Sequence, residues 1–272
     1  MGKVIVVSLE KKLACGFVLP MVGLGTWAMR GAQCIQSVRL AIDSGYKLID
    51  TASFYENESE VGRAVRESSI SRDQIIIQTK LYPDQYEKAE AAIELALQKL
   101  DLDYIDILML HHPANNDVKA YQAIEKAIER GQIRAGGISC YYVRECNRFL
   151  PQIKVKPILI QNEIHPLYQD SLVIEHIQTF GIQVQSWYPF GGRGHAAGLF
   201  KNPVLQQIAC NHGKTVAQIV LRWHLQRNVA VIPGSVSAEH IRENILLFDF
   251  SLTDEEMVQI AALDRHEKHD WY

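Results

Sequence analysis

The sequence predicts a (β/α)8 barrel preceded by a short β-hairpin, and three observations carry that expectation. Eight short β-rich runs recur along the 272 residues: "MVGLGT" (21–26), "KLID" (47–50), "IIIQTK" (75–80), "IDILML" (105–110), "IRAGGIS" (133–139), "PILIQNE" (157–163), "IQVQSW" (182–187) and "VAVIPGS" (229–235). Longer segments of helical period, such as "EKAEAAIELALQKL" and "TVAQIVLRWHLQR", lie between them. No composition shift or Pro/Gly/Ser-rich linker divides the chain, so residues 1–272 are expected to form one domain around one closed parallel sheet. A doubly wound open sheet is the competing arrangement. It is weakened because "GLGTWAMRG" carries Ala28 where a GxGxxG phosphate loop needs its third glycine.

The elements follow in order. Apolar runs "VIVV" (4–7) and "FVLP" (17–20), around the charged "EKK", read as the opening hairpin. Gly45, Gly131, Gly181 and Gly213 each follow a helical stretch, where a left-handed residue ends a helix. "TDEE" at 253–256 has the spacing of a capping box. The segments after His111 and Trp187 are short, as is the tail "HEKHDWY", which suggests an open pocket, although Trp271 and Tyr272 could fold over it.

Bulk properties exclude several function classes. A net charge of −3 with scattered basic residues gives no footprint for nucleic acid. No window approaches the 18 apolar residues of a membrane span, and the N-terminal apolar run is too short for a secretory signal. Cys15, Cys34, Cys140, Cys146 and Cys210 form an odd set without CxxC spacing, so neither disulfides nor a metal site is expected and a reducing, cytoplasmic compartment fits best.

Polar residues recur at the C-terminal ends of the strand runs: Asp50, Lys80, His111, Ser139, Gln161 and Ser235. Each alone has a structural explanation, as a turn cap, a rim residue or a hydrogen-bonded core group. Together they mark the face on which such barrels carry function. An acid and a lysine on neighbouring strand ends can pair, and a cation beside a phenol favours the phenolate. Tyr55, just past Asp50, is thus expected below its ordinary value and able to exchange a proton near neutrality, with His111 orienting an incoming oxygen. That set suits protonation of an oxygen as a carbonyl is reduced.

The motifs "GLGTW", "IDTASFYENESEVGRAV", "QTKLY", "LDYIDILMLHHP", "GGIS", "IQNEIHP", "WYPFGG" and "VIPGSVSAEHIRENI" resemble, in order and spacing, those of the aldo-keto reductase superfamily. The resemblance covers nearly the whole chain. It implies hydride transfer from NADPH, with NADH possible, to a small aldehyde or ketone, in a monomer. Asp50, Tyr55, Lys80 and His111 then fall on the family's tetrad, with Tyr55 as general acid. Ser139 and Gln161 fall at the nicotinamide carboxamide, Trp187 where an aromatic stacks on the nicotinamide, Ser235 at the adenosine phosphate, and Glu243 and Asn244 at adenine. Trp27, Phe54 and His112 line the substrate pocket by the same resemblance. Some similar barrels serve instead as cofactor-binding regulatory or structural proteins, but an intact tetrad favours an enzyme. A phosphate loop in "FGGRG" (190–194) would suit a different barrel enzyme; within this family the segment belongs to the loop that closes over the cofactor.

Three departures from the family pattern stand out. Cys140 replaces the usual Asn and should weaken one carboxamide contact. Gly234 and His240 replace a Lys and an Arg that meet the 2′-phosphate of NADPH, which narrows the preference over NADH. His112 stands where a Trp is frequent, which suggests a wider, more polar pocket.

Overall fold

The computed structural model describes residues 9–270. Within it, strands β1 (Glu10–Lys12) and β2 (Val18–Pro20) pair antiparallel. Eight parallel strands follow: β3 (Leu24–Gly25), β4 (Leu48–Asp50), β5 (Ile76–Leu81), β6 (Ile105–Leu110), β7 (Ile133–Ser139), β8 (Leu159–Glu163), β9 (Gln183–Trp187) and β10 (Val229–Val231). They lie in sequence order, and hydrogen bonds from Gly23 and Gly25 to the carbonyls of Val231 and Pro233 join the last to the first and close the barrel. Helices occupy the connections on the outside, as parallel pairing requires.

Punctuation in the sequence sets the helix ends. Gly45, Gly131, Gly181 and Gly213 all take positive φ, and Thr253 with Glu256 forms the reciprocal capping box that opens the helix Asp254–Ala261.

The hairpin differs from its expected form. "EKK" is itself a strand, and the turn is Leu13–Phe17, closed by the Gly16 amide donating to the Leu13 carbonyl. The charges of this strand are satisfied at the barrel's N-terminal end: Lys11 donates to Gln183 Oε1 (2.7 Å) and Asn228 Oδ1 (2.8 Å), and Glu10 pairs with Lys47. The run "VIVV" lies outside the described residues.

Two apolar layers result. The larger packs the helices on the outer faces of the strands. The smaller fills the lower barrel with Leu48, Ile76, Ile107, Met109, Leu159 and Ile232, and the hairpin's Leu13 and Leu19 stopper it from below. Side chains two apart on a strand share a face. The positions above this apolar floor are therefore Asp50, Gln78, Lys80, Gln161 and Gln185, all buried, at the barrel's C-terminal end. The closing seam is tight. A Cβ on Gly25 would lie 2.7 Å from the Ile232 carbonyl, and one on Gly234 would lie 2.9 Å from the Gly25 carbonyl.

Candidate active site

Lys80 is fully buried and its ammonium donates to both carboxylate oxygens of Asp50, at 2.6 and 2.7 Å, and to the Thr51 carbonyl at 2.9 Å. The Tyr55 hydroxyl lies 3.3 Å from the same nitrogen. Asp50 Oδ1 also accepts from Gln78 Nε2 (2.6 Å) and Gln161 Nε2 (3.1 Å), and those two amides share Gln185 Oε1 at 2.8 and 2.7 Å. One carboxylate in the barrel axis thus gathers an ammonium and two amide groups, which compensates its removal from water.

Local structure sets Tyr55 in place. A single 3-10 turn, Ser53–Tyr55, follows β4 and ends on left-handed Glu56. The next residue, Asn57, is wholly buried. It accepts from Thr51 Oγ1 (2.6 Å) and donates to the carbonyls of Thr26 (2.9 Å) and Met29 (3.1 Å), binding the Trp27 loop to the Tyr55 turn. Glu58 opens the following helix, Glu58–Arg66. Although the sequence suggests exposed charge there, Glu58 is buried and accepts from Thr79 Oγ1 at 2.7 Å, and burial raises its carboxyl above the ordinary range.

His111 follows β6 and stands edge-on to Tyr55, ring centroids 5.7 Å apart. His112 stacks on His111 at 4.5 Å and is buried, with its backbone held by the Tyr86 hydroxyl, so it supports the His111 ring. The outer wall is aromatic: Phe54 lies between Trp27 (5.7 Å) and Tyr82 (4.4 Å), with Trp27 and Phe54 well exposed.

Electrostatics correct one expectation. Burial first, then the charge of Asp50, holds the Tyr55 phenol well above its ordinary value rather than below it. The reason is geometric: the Lys80 charge is neutralised at closer range by Asp50, and burial penalises the phenolate. Burial likewise lowers Lys80, with Asp50 pulling it back up, and holds the His111 imidazole well below its usual range, so that it is neutral. The resting site contains a protonated phenol, a paired cation and a neutral imidazole.

The remaining candidates fall in two groups. Ser139 and Gln161, partners in the β7–β8 register, lie beside the tetrad, and Trp187, half-buried at the end of β9, packs on the inner core. Cys140 is buried with φ of 63°, a backbone state that Asn tolerates better, and among the described residues its side chain has one hydrogen bond, a long one to Ser139 Oγ (3.6 Å). Burial pushes its thiol up to about 12, in the direction away from a reactive thiolate. Beyond β10, Ser235 Oγ accepts from the Ser237 amide, Asn244 is buried, and His240 is exposed on the helix Ala238–Glu243. Among the described residues, no hydrogen bond joins this second group to Asp50, Tyr55, Lys80 or His111.

Sequence reasoning passed over Gln78, Gln185 and Asn57. The first two were findable, because counting two back from Lys80 and from Trp187 reaches the same inner face. Asn57 carried no signal that distinguishes it from a helix cap.

The Aldo/keto reductase family model matches residues 21–265. The chain is 39% identical over 92% of its length to 9,11-endoperoxide prostaglandin H2 reductase of Trypanosoma cruzi, covering 89% of that protein. It is 38% identical to the glyoxal reductase of Bacillus subtilis, over 94% of this chain and 93% of that one. Among solved structures, an aldo-keto reductase from a Medee basin deep-sea metagenome library superposes with a TM-score of 0.92 at 34% identity, covering 95% of this chain and 96% of the other.

Proposed function

Since the chain belongs to the aldo/keto reductase family, we propose that it is an NADPH-dependent carbonyl reductase in which Tyr55 is the general acid, the whole chain forming one reductase domain. The observation that carries this reading is the Tyr55 hydroxyl 3.3 Å from an ammonium that Asp50 holds in the barrel axis.

The site's polar atoms fit a nicotinamide cofactor. Gln161 spends its Nε2 on Asp50 and Gln185, which leaves Oε1 as an acceptor for a carboxamide N–H. Ser139 Oγ has only the weak Cys140 contact and can donate to the carboxamide oxygen. Trp187 Nε1 is buried without a partner among the described residues, on a ring suited to stacking. Ser235, His240, Glu243 and Asn244 would hold the adenosine end. When bound, the reduced nicotinamide supplies hydride; the protein's residues do the rest.

His111 Nδ1 is buried without a partner among the described residues. An unpaired lone pair costs less than an unpaired N–H, so the neutral ring keeps its proton on Nε2, ready to donate to a carbonyl oxygen. Tyr55 donates a second hydrogen bond to that oxygen and transfers its proton as negative charge develops there. Lys80 then lies beside the phenolate and stabilises it. A phenol that resists ionisation in the resting site is the correct starting state for an acid. Binding oriented toward the developing oxyanion, rather than a low resting value, supplies the acceleration.

NADPH is the proposed cofactor by the family resemblance; NADH is proposed to be usable because Gly234 offers no charge for the 2′-phosphate, with His240, exposed on its helix, as partial compensation. Small aldehydes and ketones are the proposed substrates, glyoxal-type compounds among them, and the Trp27, Phe54 and Tyr82 wall would receive the rest of the molecule. Five cysteines free of disulfides fit a cytoplasmic enzyme, and we take it to act as a monomer.

The test is Tyr55→Phe, assayed for NADPH consumption with methylglyoxal and for cofactor binding by fluorescence titration. Turnover should fall by about 10²- to 10⁴-fold, the usual contribution of general acid catalysis, with cofactor affinity retained. Undiminished turnover would exclude Tyr55 as the acid.

A further inference from the structure

Beside the site, three imidazoles form a column. His195, on the loop after β9, stacks on His269 of the C-terminal tail with centroids 3.6 Å apart, and His269 stacks on His165, just past β8, at 4.5 Å. The column is tied at both edges. His165 Nε2 lies 3.1 Å from Glu163 Oε1, and His269 Nδ1 lies 2.7 Å from the Gly191 carbonyl. Glu163, fully buried, also accepts the backbone amides of His269 (2.6 Å) and Asp270 (3.0 Å), which fastens the tail.

Glu163, His165 and His269 are close enough to suggest a metal ion. Their orientation argues against one. An ion must lie in the plane of each imidazole that binds it, and the planes of His165 and His269, only 19° apart and stacked, do not meet within bonding distance.

We propose that His269 is a positioning residue: with His165 and His195 it latches the tail and the loop after β9 together, and the latch opens on acidification. Each edge contact is donated by a ring N–H, His165 to Glu163 and His269 to Gly191, and uncharged stacked faces attract. Each proton that acidification adds to this column is a positive charge placed beside its neighbouring rings, with Glu163 the buried carboxylate in contact with it. Like charges then face each other at 3.6 and 4.5 Å. The other charged groups around the column are Arg193 on the loop and Arg265, Glu267, Lys268 and Asp270 on the tail; Arg265 and Glu267 lie 3.8 Å apart beside a cavity of about 310 Å³ that His195 and His269 also line. Burial, offset by Glu163, lowers His165.

The loop carries the consequence toward the site. It begins at Tyr188, a bulky residue held at φ of 53°, and Arg193 lies over the Trp27 ring at 5.9 Å. Releasing Gly191 and His195 frees the wall opposite Trp27. The effect on cofactor retention rests on the reductase reading; the latch itself does not.

Amide hydrogen exchange on the full chain without cofactor tests the latch directly. Between about pH 8 and about pH 5.5, spanning histidine titration, the His269 and Asp270 amides should lose about ten-fold or more of their protection after correction for intrinsic exchange. The His195→Phe/His269→Phe pair keeps stacked rings without protons and should show no such response. If that pair fails to hold the tail at either pH, His195→Phe alone decides, and the midpoint of release must move to lower pH. Constant protection of the native chain across this range, a response that survives the double substitution, or an unmoved midpoint in the single variant overturns the proposal. If the reductase reading holds as well, NADPH affinity should weaken with the same midpoint; loss of exchange protection without a change in affinity separates the two.

Discussion

Tyr55 shows how one residue's environment can be half legible in a sequence. Its neighbours were: Asp50 and Lys80 end adjacent strand runs, and their ion pair at 2.6 Å follows from that placement. Its acidity was not, because burial and the partner of its partner both push the phenol upward. His112, expected by the resemblance to line the pocket, stacks on His111, with its own imidazole lowered to about 4 by burial and by the Lys80 charge. That value predicts a pH effect on stability. The unfolded ring titrates near 6.5 and the folded ring near 4, so above about 6.5 both states are neutral and nothing is lost. As pH falls from about 6.5 to about 4, the unfolded state alone binds the proton, and the native state loses about 1.4 kcal/mol per pH unit from this group. Urea unfolding at pH 7.5 and 5.0 should show the loss in the native chain and a smaller one in His112→Asn. Equal slopes would place the titration elsewhere.

Among the elements, strands and helices were readable wherever period and punctuation agreed. "IDILML" and "IRAGGIS" coincide with β6 and β7, and the four helix-ending glycines hold positive φ. The hairpin is present as expected, but a strand falls on "EKK" because Lys11 and Glu10 find partners on distant segments, information no local window contains. Gly62 is a sharper case. Within the helix Glu58–Arg66, exchanging Gly for Ala ordinarily stabilises by about 1 kcal/mol. Here a Cβ would sit 1.8 Å from the Leu100 carbonyl at the end of the helix Ala89–Leu100. Gly62→Ala should therefore destabilise, by about 1–3 kcal/mol or more since backbone must move, as a lowered denaturation midpoint. A neutral or stabilising result would mean that the two helices separate easily. The Gly25 and Gly234 seam has the same character, so installing Lys at 234 to strengthen 2′-phosphate binding should cost stability and leave affinity short of its aim.

For the whole molecule, closure from β3 to β10 brings together residues as distant as Asp50, Gln161 and Gln185 around one axis, and only the fold could reveal that they share a hydrogen-bond network. The reductase reading predicts thermodynamic linkage at this scale. A ligand present at 100 times its Kd raises stability by about 2.7 kcal/mol, so scanning calorimetry with equal concentrations of NADPH and NADH should give upward shifts in Tm for both, the larger with NADPH. Equal shifts would show that His240 does not discriminate, and no shift with either would remove the cofactor from the account.

The hairpin stopper gives the barrel a blind end and a working mouth. Leu13 and Leu19 fill the base while Lys11 bolts the hairpin to Gln183 and Asn228. A solid support or fusion partner grafted onto the exposed Lys12 edge would consequently leave the opposite opening facing bulk solution, with reactants entering and products leaving unobstructed.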